Sequence, residues 1–153
     1  MIDKKLLVQK FFEEHSLVDS NIASFNSFIN NQIQQIVSDQ KEAIPAVVPP
    51  DVEEVKFEFG AVQVKKPTVV EADGSERILL PMEARLRNLT YASKVFIEVG
   101  IVVDGKERER TEVEIAELPV MLRSELCHLS GMNKKELVGA GEDPNDPGGY
   151  FII

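Results

Sequence analysis

The chain has 153 residues, 43% hydrophobic and 28% charged, the balance of an ordinary soluble globular protein with core enough for one domain. Its net charge of −9, from 26 acidic and 17 basic residues, argues against strong autonomous nucleic-acid binding, which needs a basic footprint. No apolar run approaches the roughly 18 residues of a membrane span, no signal peptide opens the chain, and the single Cys127 excludes an internal disulfide and points to a reducing, cytoplasmic setting.

The first forty residues read as helical. Asp3 can cap a helix carrying Leu6, Leu7, Phe11 and Phe12, with His15 and Ser16 closing it. A second helix starts at Asp19 or Ser20. Its apolar residues Ile22, Phe25, Ile29, Ile33, Ile36 and Val37 recur at three- and four-residue spacing and so lie on one stripe. Residues 41–50, with Pro45, Pro49 and Pro50, form an extended connector.

From residue 52 the pattern changes to strands. Val55, Phe57 and Phe59 alternate with charged residues, and after Gly60 the phase shifts to Val62 and Val64, the signature of a β-bulge at the glycine. Asp73-Gly74 lies between two apolar stretches and predicts a hairpin. Val95, Ile97, Val99, Ile101 and Val103 alternate cleanly, and Asp104-Gly105 turns the chain into Val113 and Ile115, which predicts a half-buried antiparallel sheet. Residues 118–122 form a short apolar strand that leaves through Arg123, and a small helix near 133–138 starts at a capping box of Asn133 and Glu136. Residues 150–153 are four bulky apolar side chains behind a proline-stiffened acidic turn. They predict a strand, either tucked into its own sheet or truncated here and completed by residues further along the polypeptide. An unfilled edge of that kind predicts self-association. The fold class is α+β: a single domain over 1–153 in which an N-terminal helical pair packs beside an antiparallel β-sheet with hairpins.

Little in the chain looks like a catalytic centre. Cys127 and His128 are adjacent, but the paired ligand spacings of a zinc site are missing. The acidic turn Glu142, Asp143, Asn145, Asp146 lacks the glycine and glutamate positions of a calcium loop. There is no nucleophile elbow and no phosphate-cradling glycine loop. Two stretches remain unusual. Arg85 and Arg87 bracket a leucine and either pair with the many glutamates or present a guanidinium pair to phosphate or to a partner carboxylate. Arg123 either marks the charged exit of a core strand or holds a partner.

Five segments span nearly the whole chain: the helical SLVDSNIASFNSFINNQIQQIV (16–37), ARLRNLTY (84–91), VFIEVGI (95–101), LPVMLRSELCHLSG (118–131) and GEDPNDPGGYFII (141–153). Together, and in this order, they resemble the N-terminal region, called the protrusion, of the second-largest subunit of archaeal and eukaryotic RNA polymerases, the counterpart of bacterial β. The resemblance implies a subunit of DNA-directed RNA polymerase, a nucleotidyltransferase acting in DNA-templated transcription, with this part forming a wall of the DNA cleft. It implies no catalytic residue and no metal ligand here, since the family's catalytic magnesium sits on the largest subunit. It also implies contacts with the other polymerase subunits, the remainder of the same subunit, upstream DNA and an initiation factor. Lys65, Lys66, Arg85, Arg87, Lys94 and Arg123, the basic residues in or near the matched stretches, are the nucleic-acid contact candidates. The alternative is a free-standing protein-interaction module without a polymerase role.

Overall fold

The computed structural model describes residues 4–153. In chain order it forms α1 (Lys4–Glu14), α2 (Asp19–Ser27), a π-helical turn (Phe28–Gln32), α3 (Ile33–Gln40), β1 (Glu42–Ala43) and β2 (Val55–Val64). There follow β3 (Thr68–Val70), β4 (Glu76–Ile78), α4 (Pro81–Arg87), β5 (Ala92–Val103), β6 (Lys106–Pro119) and α5 (Lys134–Gly139). Helices with antiparallel hairpins make this the expected α+β class. Asp3, expected to cap α1, lies outside the described residues. The chain divides into two compact units, one holding residues 27–66 and 92–118, the other the described residues up to 26 together with 67–91 and 119–153.

The first of these is a sheet unit with strand order β1-β2-β5-β6. β2 runs antiparallel to β5, with Val55 opposite Val103 and Val64 opposite Val95. The register slips between Phe59 and Val62, so the bulge expected at Gly60 is present. A Cβ at Gly60 would push aside the flexible end of the Glu98 side chain and lie 3.3 Å from the Glu98 Cβ and 3.4 Å from Arg110 Nη1. A bulge frees backbone groups, and Gln34 on α3 takes them up: its Oε1 accepts from Val62 N–H at 2.8 Å and its Nε2 donates to Gly60 O at 3.3 Å. Asp104 and Gly105 both have positive φ (49° and 74°), the geometry of a two-residue hairpin turn. The Asp104 carboxylate also accepts from the N–H groups of Glu53 and Glu54 at 3.0 and 2.9 Å, which fastens the connector before β2.

The other unit packs around Tyr91, Val120, Leu122, Cys127, Leu129 and Leu137, all buried. Burial pushes the Tyr91 phenol well above its ordinary pKa, and its oxygen donates to Cys127 Sγ at 3.6 Å and accepts from His128 N–H at 3.0 Å. The Asp73-Gly74 turn joins β3 to β4 as expected, with Thr68 opposite Ile78. Asn133 and Glu136 close both bonds of their capping box at the start of α5.

Two expectations for this unit change. Residues 118–122 are not a separate strand. β6 ends at Pro119, and the next residues are irregular before turns begin at Leu122, fixed by single bonds from Val120 N–H to Tyr91 O and from Leu122 N–H to Tyr150 O, both 2.9 Å. Arg123 stands at φ 69°, which no strand tolerates. Residues 150–153 likewise join no sheet. Instead Tyr91 N–H donates to Ile152 O at 3.0 Å, and the Phe151 ring meets Phe25 edge-on with centroids 5.8 Å apart. Gly148 and Gly149, with φ of 74° and 79°, make the approach possible. A Cβ on Gly149 would lie 2.6 Å from the Val18 side chain, and one on Gly148 would lie 2.7 Å from Leu122 O.

Candidate nucleic-acid interface

The six basic residues singled out in the sequence fall into two groups. Arg85, Arg87 and Arg123 belong to the unit with α4 and α5, and their guanidinium groups are engaged within it. Residues two apart on a helix point about 200° from each other, so α4 sends Arg85 and Arg87 to different partners. Arg85 Nη1 grips both oxygens of Glu142 at 2.7 and 2.9 Å, and its Nη2 donates to the Tyr150 hydroxyl at 3.0 Å. That hydroxyl donates in turn to Asp146 Oδ2 at 2.6 Å, and Arg123 Nη2 donates to Asp146 O at 2.9 Å. Burial opposes ionisation of Asp146, but the bonds from Tyr150 and Gly148 and the charges of Arg85 and Arg123 hold its carboxyl below the usual range.

Arg87 joins a four-residue ion cluster. Its Nη1 lies 2.7 Å from Glu83 Oε1 and 3.0 Å from Glu71 Oε1, while Arg77 from β4 bonds the same two glutamates. Arg77 first and Arg87 second hold the Glu83 carboxyl down at about 2. The helical geometry of 81–87 thus favours the pairing of these arginines with glutamates over a guanidinium pair presented together.

Lys65, Lys66 and Lys94 form the second group, on the sheet unit. The antiparallel β2–β5 register brings the end of β2 beside the start of β5, and Lys65 N–H donates to Lys94 O at 3.1 Å. The Lys65 ammonium rests 3.9 Å above the Phe96 ring, a cation–π contact that fixes its position. Each of these two lysines faces one glutamate of β6: Lys65 with Glu112 at 3.5 Å and Lys94 with Glu114 at 3.3 Å. Lys66 is exposed and has no ion-pair partner among the described residues.

This arrangement sets two lysines, each paired with a glutamate, beside the exposed Lys66 on an acidic unit, which holds 13 carboxylates against eight basic side chains over residues 27–66 and 92–118. Exposed ion pairs of this kind contribute about 0–1 kcal/mol each, so an incoming phosphate can exchange with Glu112 or Glu114. Arg85 cannot move so readily, because Glu142 is buried and would lose its counter-charge. Sequence reasoning named the lysines but missed Phe96, Glu112 and Glu114. Period-two alternation places Lys94 and Phe96 on one face, whereas the pairing that adds Lys65 spans the intervening hairpin and helix.

Among the described residues no three His, Cys, Asp or Glu side chains converge to hold a metal ion, and no helix is long and apolar enough to cross a membrane.

Comparison with known proteins agrees with the resemblance read from the sequence. Residues 16–153 match the family model described as RNA polymerase beta subunit. DNA-directed RNA polymerase subunit Rpo2N of Methanothermobacter thermautotrophicus is 48% identical over 150 residues, covering 96% of this chain and 28% of the relative. The Rpo2N subunit of Methanocaldococcus jannaschii is 44% identical over 151 residues, covering 96% of this chain and 30% of the relative. Subunit Rpo2 of Saccharolobus solfataricus is 39% identical over 147 residues, or 96% of this chain and 13% of the relative. The chain therefore spans less than a third of the curated relatives it matches.

Proposed function

The chain belongs to the RNA polymerase beta subunit family, and from that premise we propose that it forms part of the wall of the DNA cleft in DNA-directed RNA polymerase. In this reading it is an N-terminal, protrusion-like part of the second-largest subunit of an archaeal-type enzyme. The observation that carries it is the family match across residues 16–153, reinforced by relatives named as polymerase subunits at 39–48% identity. The activity is DNA-templated nucleotidyl transfer by the assembled enzyme in the cytoplasm. This region supplies shape and contacts. The magnesium that drives the chemistry belongs, by the family resemblance, to the largest subunit, and no step of the reaction is assigned to residues here.

Its partners are the other polymerase subunits, the remainder of the same subunit, upstream DNA and an initiation factor. Of the six basic residues, Lys65, Lys66 and Lys94 are the phosphate contacts: Lys65 and Lys94 are joined across the strands and held by exchangeable exposed pairs, Lys66 is exposed beside Lys65, and all three lie on one unit. Arg85, Arg87 and Arg123 act within the fold, through the bonds described above. Exposed Leu6, Leu7, Phe11 and Phe12 on α1 support self-association of the chain when it is isolated.

The test is the salt dependence of DNA affinity in a polymerase assembly containing this chain. Every phosphate that a variant no longer neutralises lowers the slope of log affinity against log salt by about one unit. Lys65→Ala, Lys66→Ala and Lys94→Ala together are expected to lower it by about three, whereas Arg87→Ala leaves it unchanged. An unaltered slope in the triple variant defeats the phosphate assignment.

A further inference from the structure

The outer edge of the sheet unit is formed by its longest strand. β6 is 14 residues long, and every residue over 106–117 is exposed. It is the terminal strand in the order β1-β2-β5-β6, and among the described residues no strand lies against its outer edge. Strands usually run to 3–10 residues, and natural edges are kept short or blunted because their free N–H and C=O groups template pairing. β6 breaks that habit in length, and Val113 and Ile115 in its second half remain 41% and 54% exposed.

The two faces of β6 differ in what they leave open. Arg110, Glu112 and Glu114 lie on one face and are already occupied: Arg110 by Glu58, Glu98 and Glu107, Glu112 by Lys65, Glu114 by Lys94. On the other face period two aligns Glu109, Thr111, Val113, Ile115 and Glu117. Glu109 and Glu117 have no ion-pair partner among the described residues. This face therefore presents an apolar pair framed by two free carboxylates.

We infer that β6 is a docking edge for an extended segment of another polymerase polypeptide, one carrying two β-branched or other apolar residues on one face framed by lysine or arginine. Backbone bonds along the edge supply affinity, and the alternate side chains select the register. A second copy of this chain fits less well. The antiparallel register that pairs Val113 of each copy with Ile115 of the other sets Glu114 against Glu114, and like charges directly opposite repel.

The inference rests on the polymerase reading, and hydrogen–deuterium exchange separates the two. The chain is compared alone and within a polymerase assembly that contains it, following peptides across 106–117. Exchange of the outward-facing amides is expected to slow by about tenfold or more on assembly. Val113→Lys with Ile115→Lys is expected to abolish that slowing while leaving the circular dichroism of the isolated chain unchanged, since both positions are exposed. A chain that joins the assembly with β6 exchanging as fast as it does alone overturns the docking edge and spares the polymerase reading. A chain that joins no assembly overturns both. Protection that appears in the isolated chain as its concentration rises gives the edge to a second copy and overturns the partner named here.

Discussion

Arg85 and Arg87 sit two residues apart with the same side chain, and the structure gives them unequal work. Arg85 neutralises Glu142, whose side chain is 5% exposed, whereas Arg87 shares two partly exposed glutamates with Arg77. Removing one partner of a buried pair costs about 3–5 kcal/mol, and removing one member of an exposed pair costs about 0–1 kcal/mol. Urea unfolding should therefore show Arg85→Ala strongly destabilised and Arg87→Ala nearly neutral, and equal losses would refute the distinction. Gln34 carries a second residue-scale prediction. Its amide serves two half-buried backbone groups freed by the bulge, so Gln34→Ala should cost about 1 kcal/mol, the net worth of ordinary hydrogen bonds. A melt that matches the parent would mean that water serves the bulge equally well.

At the scale of elements, the link between the β3–β4 hairpin and α4 is electrostatic and titrates. Arg77 and Arg87 hold Glu83 at about 2, against an ordinary value of 4.5. A carboxylate with a depressed folded value stabilises fully above its unfolded value and loses that contribution as pH falls through the folded one. The hairpin and α4 should therefore loosen together between about pH 4.5 and 2, and Glu83→Gln should weaken that pH dependence, leaving the part carried by Glu71, whose carboxyl Arg87 and Arg77 also hold below its ordinary value. Amide exchange across 68–87 measured over this window checks it.

Which elements the sequence disclosed follows from how local their causes are. Both Asp-Gly turns, the Asn133 capping box and the slip at Gly60 are written within a few residues, and each appears where expected. α4 escaped because a seven-residue helix started by Pro81 and stopped by Asn88 at φ 51° is too short for periodicity to show. The residues after Pro119 read as strand because Val120, Met121 and Leu122 are apolar, yet they are buried in an irregular segment whose bonds come from residues distant in the chain. The lysine cluster was legible only as a list of names. Its assembly depends on β2 pairing with β5 across residues 65–91, which no local pattern specifies.

For the molecule as a whole, an acidic chain with few unpaired lysines is compatible with the proposed part in a cleft wall. Such a part needs no strong affinity of its own, in line with the net charge of −9. The most direct measurement places a photo-crosslinking amino acid at position 66 and irradiates a polymerase assembly containing this chain on promoter DNA. A cleft wall that meets DNA through its lysines predicts a crosslink from position 66 to DNA, absent when the same group is placed at position 87 on α4. Crosslinks from position 66 to protein alone would contradict it.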